Sequence, residues 1–116
     1  MVILPVMKTY LIDELRPWEY EKIKAHLDKD FKDSNLDGIY WMPLEPMLLS
    51  KCQTEHENCR PHCFALELAP DRLSCELLVR TRQRVRCECI AYATEPQRNW
   101  LIRHIDAMLE ELGIIT

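Results

Sequence analysis

Five residues within twelve positions carry the densest chemistry in this chain: Cys52, His56, Cys59, His62 and Cys63. Thiolate and imidazole are the donors that zinc prefers, and four of them fill a tetrahedral shell. On a helix, the i, i+4 spacing sets Cys52 and His56 on one face. Cys59 with either His62 or Cys63 then completes the set from the loop that follows. The spacing matches no standard finger, because CxxC is absent and no second knuckle occurs elsewhere. A catalytic ion would need an open position and a placed base, for which Glu55 and Glu57 are the nearest carboxylates. The competing reading is a polar helix end and loop with reduced cysteines, and the sequence alone leaves both open.

Two further groups have chemical potential. Arg80, Arg82, Arg84 and Arg86 recur at alternate positions, so guanidiniums converge on one region and suit bidentate recognition of an anion or phosphate. From Arg72 to Arg86 the chain carries a local charge of +4 within an overall −4. The alternative is a solvated, charged sheet face that discourages edge-to-edge pairing. Cys75, Cys87 and Cys89 form the other group. Cys87 and Cys89 make CxC rather than the redox CxxC, and residues two apart on a strand share a face about 7 Å apart. All three are expected on the inward face of a sheet, as small hydrophobes. No serine lies in a nucleophile elbow, and His26 and His104 fall on helices with packing roles.

The elements that position these groups centre on residues 63–92. Phe64, Leu66 and Leu68 alternate in a first strand, and Leu73, Cys75, Leu77 and Val79 in a second. Val85, Cys87, Cys89 and Ala91 alternate in a third. Period-two alternation repeated three times predicts an antiparallel meander with one buried face. Pro70-Asp71 and the segment 81–84 supply the reversals.

Before the meander, residues 9–15 suggest a short edge strand. Pro17 opens a helix to about Lys29, with Trp18, Ile23 and Leu27 as its apolar stripe. Ile39 to Met42 reads as a strand closed by Pro43, and a second helix is expected from Met47 to about Glu57. Thr94 to Gln97 fits a capping box that opens the last helix. Leu101, Ile105, Met108 and Leu112 form its stripe, and Gly113 stops it. The expected fold is α+β in two layers, a mostly antiparallel sheet with the N- and C-terminal helices on one face.

Composition narrows the functional classes. A chain of 116 residues suits one domain over residues 1–116, with residues 1–7 readable as an extension ahead of Met7. Only Gly38 and Gly113 are glycines, which argues against a phosphate-cradling loop. No apolar run approaches membrane-spanning length and no leader pattern is evident, so a cytoplasmic address with reduced thiols is expected. The acidic balance disfavours broad nucleic-acid binding.

The segments IYWMPL, CELLVR, RCECIAYAT and TEPQRNWLIRHIDAMLEELGI together resemble a small bacterial family of uncharacterised proteins, over about residues 9–114. That resemblance implies one bacterial cytosolic domain and carries no activity, cofactor or site. The functional expectation is therefore a non-catalytic interaction or regulatory module, with an unidentified protein or a second copy of itself as partner. No cofactor is required by this reading. The alternatives are a zinc-binding protein using Cys52 to Cys63, and an anion or nucleic-acid binder through the arginines.

Overall fold

Residues 62–69 are the centre of the sheet because their backbone N–H and C=O groups pair with strands on both edges while their alternating side chains bury one face. The computed structural model describes residues 8–31, 38–81 and 87–115. Strands β1 (Thr9–Ile12), β2 (Ile39–Pro43), β3 (His62–Ala69), β4 (Arg72–Glu76), β5 (Leu78–Thr81) and β6 (Ala91–Tyr92) join helices α1 (Pro17–Asp30), α2 (Lys51–Glu55) and α3 (Glu95–Glu111). Strand β2 runs antiparallel along one edge of β3, while β4 and β5 run antiparallel along the other. The hairpin between β3 and β4 turns on Pro70 and Asp71, as the sequence predicts.

The second predicted strand is interrupted. Leu66 faces Cys75, but Cys63 faces Arg80, so β4 and β5 follow β3 in registers two residues apart. The offset is a bulge at Glu76 and Leu77, which frees Leu77 to pair elsewhere. Its N–H donates to the Lys8 carbonyl, and its own carbonyl accepts from Ala93. The outer edge is therefore shared: β1 lies along β4 and β6 along β5.

Helices α1 and α3 cover one sheet face. Ile23 and Leu27 of α1, and Leu101, Ile105, Met108 and Leu109 of α3, join Tyr40, Met42, Phe64, Leu66, Leu73, Cys75 and Val79 in a continuous buried cluster. The α+β, two-layer expectation holds. Thr94 caps α3 with the predicted box: its hydroxyl accepts from the Gln97 N–H, while Gln97 accepts from the Thr94 N–H. Trp18 departs from its expected place and stays 45% exposed. Glu19 is buried instead, because its carboxylate accepts the otherwise unpaired Arg16 N–H 2.7 Å away at the start of α1.

The predicted helix from Met47 to Glu57 is three short pieces. A 3-10 turn (Pro46–Leu48) precedes α2, and a second (Glu57–Cys59) follows it. Ser50 explains the break, since it caps α2 with an extended backbone and accepts from the Gln53 N–H. The third predicted strand shrinks to Ala91–Tyr92, with Cys87 to Ile90 forming a turn closed by Ile90 N–H to the Cys87 carbonyl. Its predicted start at Val85 lies outside the described residues.

Gly38 and Gly113 both have positive φ, +80° and +76°. A Cβ on Gly38 would lie 3.0 Å from the Leu68 carbonyl oxygen, whereas one on Gly113 meets open space. A left-handed backbone costs a residue with a Cβ about 1–2 kcal/mol, and Gly38 adds the collision. Gly38→Ala is expected to lower urea-unfolding stability by more than Gly113→Ala does, and the reverse order would refute the packing described at β2.

Candidate thiol and metal site

The CxC of Cys87 and Cys89 meets Cys59 across 28 residues of chain. The three Sγ atoms all lie within 4.8 Å of one another, with Cys59 and Cys87 only 3.7 Å apart. Cys59 and Cys89 are buried and Cys87 is half-buried. None of the six cysteines is in a disulfide.

Local structure sets this meeting. Cys59 ends the 3-10 turn after α2, and Cys89 sits within the turn ahead of β6. A buried amide chain ties the two segments together. Gln53 Nε2 donates to the Cys89 carbonyl at 3.3 Å, and Gln97 Nε2 donates to Gln53 Oε1 at 2.9 Å and to the Leu48 carbonyl at 2.8 Å. Gln53 and Gln97 are 2% and 1% exposed, so each bond replaces water that cannot reach them.

The expectation for Cys87 and Cys89 is corrected. A turn, not a strand, holds them, and it draws their thiols together instead of spacing them about 7 Å apart along one face. Cys75 alone of the three lies in the hydrophobic cluster, on β4.

The sequence-predicted ligand set divides. Cys59 joins the thiol group. Cys52 and His56 lie beside it on and just after α2, with Cys52 Sγ 3.7 Å from His56 Nδ1. His56 Nδ1 donates to the Cys52 carbonyl at 2.5 Å, which leaves the lone pair to Nε2 in the neutral ring. Nε2 is 3.6 Å from a carboxylate oxygen of Glu88, the residue between the two clustered cysteines. His62 and Cys63 begin β3 and stand outside the three-thiol group. His62 is buried on the helix-covered face, and neither ring nitrogen has a hydrogen-bond partner.

The electrostatics differ among the thiols. The Cys89 N–H donating to the Cys87 sulfur, helped by the Cys89 and Cys59 thiols, brings Cys87 down to about 7. Burial pushes Cys89 up to about 12, and it does the same to Cys75. Burial also raises Cys52, reinforced by nearby Glu88. The carbonyl of Cys52 raises His56, against the opposing effect of burial. For His62, burial lowers the pKa, and Arg60 and His56 add to it.

The arginine group is only partly in view. Arg80 is paired with Glu76, across the bulge from it, and is half-buried. Arg82, Arg84 and Arg86 lie outside the described residues. A cleft of about 680 Å³ is lined by Tyr10–Arg16, Trp18, Glu19 and the residues that follow α3. No described helix is long and apolar enough to cross a membrane. Comparison with protein-family models, with curated proteins and with solved structures finds no match for this chain.

Two outcomes follow from these environments. In chelator-treated protein, iodoacetamide is expected to modify Cys87 first, at a rate that rises through about pH 7. Cys75 and Cys89 should stay protected until the protein unfolds, and peptide mapping that found either labelled first would refute the assignment. His62 binds its proton less readily when folded than at its ordinary 6.5. Its contribution to stability is thus present above about pH 6.5 and lost as the pH falls further, since the unfolded state then holds more protons. His62→Leu is expected to flatten that acid slope in thermal melts, and an unchanged slope would assign the loss to another group.

Proposed function

We propose that this chain binds zinc, or an ion of similar softness, through the thiolates of Cys59, Cys87 and Cys89, with His56 Nε2 as the fourth donor. The convergence of three sulfurs from two distant segments carries the reading. A tetrahedral site with Zn–S bonds of about 2.3 Å has sulfurs about 3.8 Å apart. The Cys59–Cys87 separation of 3.7 Å falls at that value.

His56 suits the fourth place for a specific reason. Metal-bound histidines generally donate their other ring N–H to a carbonyl or carboxylate, which fixes the tautomer and aims the lone pair. The bond from Nδ1 to the Cys52 carbonyl supplies that arrangement; Nε2 lies 3.6 Å from the carboxylate of Glu88, and the ring stands outside the three-thiol group, so it would move in to complete the shell. Cys52 offers its carbonyl to this bond and is assigned no direct ligand role.

Four protein ligands leave no position for substrate, so the ion acts as a structural or regulatory clamp. This accords with a non-catalytic module. Binding requires each thiol to surrender its proton, so affinity should rise with pH.

Full-length protein produced with added zinc is expected to hold one ion per chain by elemental analysis. Cys59→Ser, Cys87→Ser and Cys89→Ser should each abolish stoichiometric binding, and His56→Ala should weaken it by at least about tenfold. Cys63→Ala, outside the group, should keep the ion. Cobalt substitution gives a thiolate charge-transfer band that reports the same ligands without relying on stability. Absence of stoichiometric zinc in the unmutated protein, or its retention in all three serine variants, would overturn the reading.

A further inference from the structure

We infer that Cys59 and Cys87 form a peroxide-responsive dithiol, with Cys87 taking the oxidant and Cys59 resolving it into a disulfide, and that this reaction expels the ion from the loaded protein. Only the last clause rests on the metal reading. The dithiol itself rests on position.

Three observations assign the roles. Cys87 is the half-buried member of the group, so a small hydroperoxide reaches its sulfur first. Cys59 is 2% exposed, which shields it from the oxidant yet leaves its sulfur 3.7 Å from that of Cys87. Cys89 is buried like Cys59, but its carbonyl is held by Gln53 and it lies only two residues from Cys87. A disulfide between neighbours so close in sequence is strained, whereas Cys59 and Cys87 are separated by 28 positions and free of that constraint.

The chemistry balances with a hydroperoxide as the oxidant. The Cys87 sulfur attacks the terminal oxygen and the O–O bond breaks. The leaving hydroxide takes up a proton as water, and Cys87 is left as a sulfenic acid. Cys59 then attacks the sulfenic sulfur. The S–O bond breaks, a second water leaves with the Cys59 proton, and the S–S bond forms. Two thiols lose two electrons, and one hydrogen peroxide becomes two waters.

Closing the gap from 3.7 Å to about 2 Å draws Cys87 toward Cys59. Cys89 stays anchored through its carbonyl, so the turn from Cys87 to Ile90 pivots about it. Two of three thiolates are then lost as ligands, and the remaining donors cannot hold zinc in a tetrahedral shell.

The test treats zinc-loaded, full-length protein with stoichiometric hydrogen peroxide. Zinc release is followed with a chromogenic chelator, and disulfides by intact mass and peptide mapping. The expected result is a Cys59–Cys87 disulfide, a mass loss of two hydrogens, and one zinc released per disulfide. Dithiothreitol plus zinc should restore the starting state. In Cys59→Ser, which holds no ion, at least two equivalents of peroxide should instead carry Cys87 through sulfenic to sulfinic acid, and Cys63→Ala should behave as the unmutated chain. If zinc is bound but peroxide leaves the thiols reduced or joins a different pair, the inference falls while the metal site stands. If no zinc is bound yet the metal-free chain forms the Cys59–Cys87 bond, the metal reading falls and the dithiol stands.

Discussion

The hydrogen-bonded pair of Gln53 and Gln97 is the interaction on which the rest of this structure depends. Each occupies the third position of its helix, where its side-chain oxygen accepts the N–H of the capping residue: Ser50 for α2 and Thr94 for α3. Each also sends its side-chain NH₂ to a distant carbonyl, Cys89 in one case and Leu48 in the other. A single buried chain of amides therefore starts two helices and pins the CxC turn. A buried amide left without its partner costs about 1–3 kcal/mol, so the chain holds as a unit or fails as one. The sulfur geometry is inherited from this clamp.

The sheet supplies the second constraint. The bulge at Glu76 and Leu77 lets one long edge serve two partners, β1 before it and β6 after it. Without the offset, β6 would compete with β1 for the same row of backbone groups. The bulge thus makes room for the segment that follows the CxC turn. It also turns Arg80 and Glu76 toward each other, so that guanidinium is committed to a neighbour within its own strand edge.

Much of the fold was legible because its signals are local. The Thr94–Gln97 box, the Leu101–Ile105–Met108 stripe and the Pro70-Asp71 turn each state their structure within a few residues. The site was not legible in the same way. Alternation across Val85, Cys87, Cys89 and Ala91 fits a strand by period, yet the backbone turns at 88–89 instead. Nothing local announces that Cys59 will stand beside them. One signal was available: Ser50 and Gln53 repeat the Ser/Thr-x-x-Gln pattern of α3, and mark a helix start four residues later than an apolar reading suggests. Trp18 leaves its expected place on the stripe while neighbouring Glu19 is buried, its carboxylate satisfying the Arg16 N–H at the start of α1. His62 fits neither a ligand reading nor an apolar one, since its nitrogens are buried without partners.

The segment between Cys59 and Cys87 contains β3, β4 and β5, the strands around which the sheet is built. An S–S bond between those two sulfurs would close this stretch into a ring that persists when the chain unfolds, whereas an ion would hold it closed only while the folded chain keeps its ligands together. For a ring of this length, the lost freedom of the unfolded chain amounts to about 3–4 kcal/mol. The state of three sulfur atoms and the stability of the sheet are then one thermodynamic quantity, and a change in either is registered by the other.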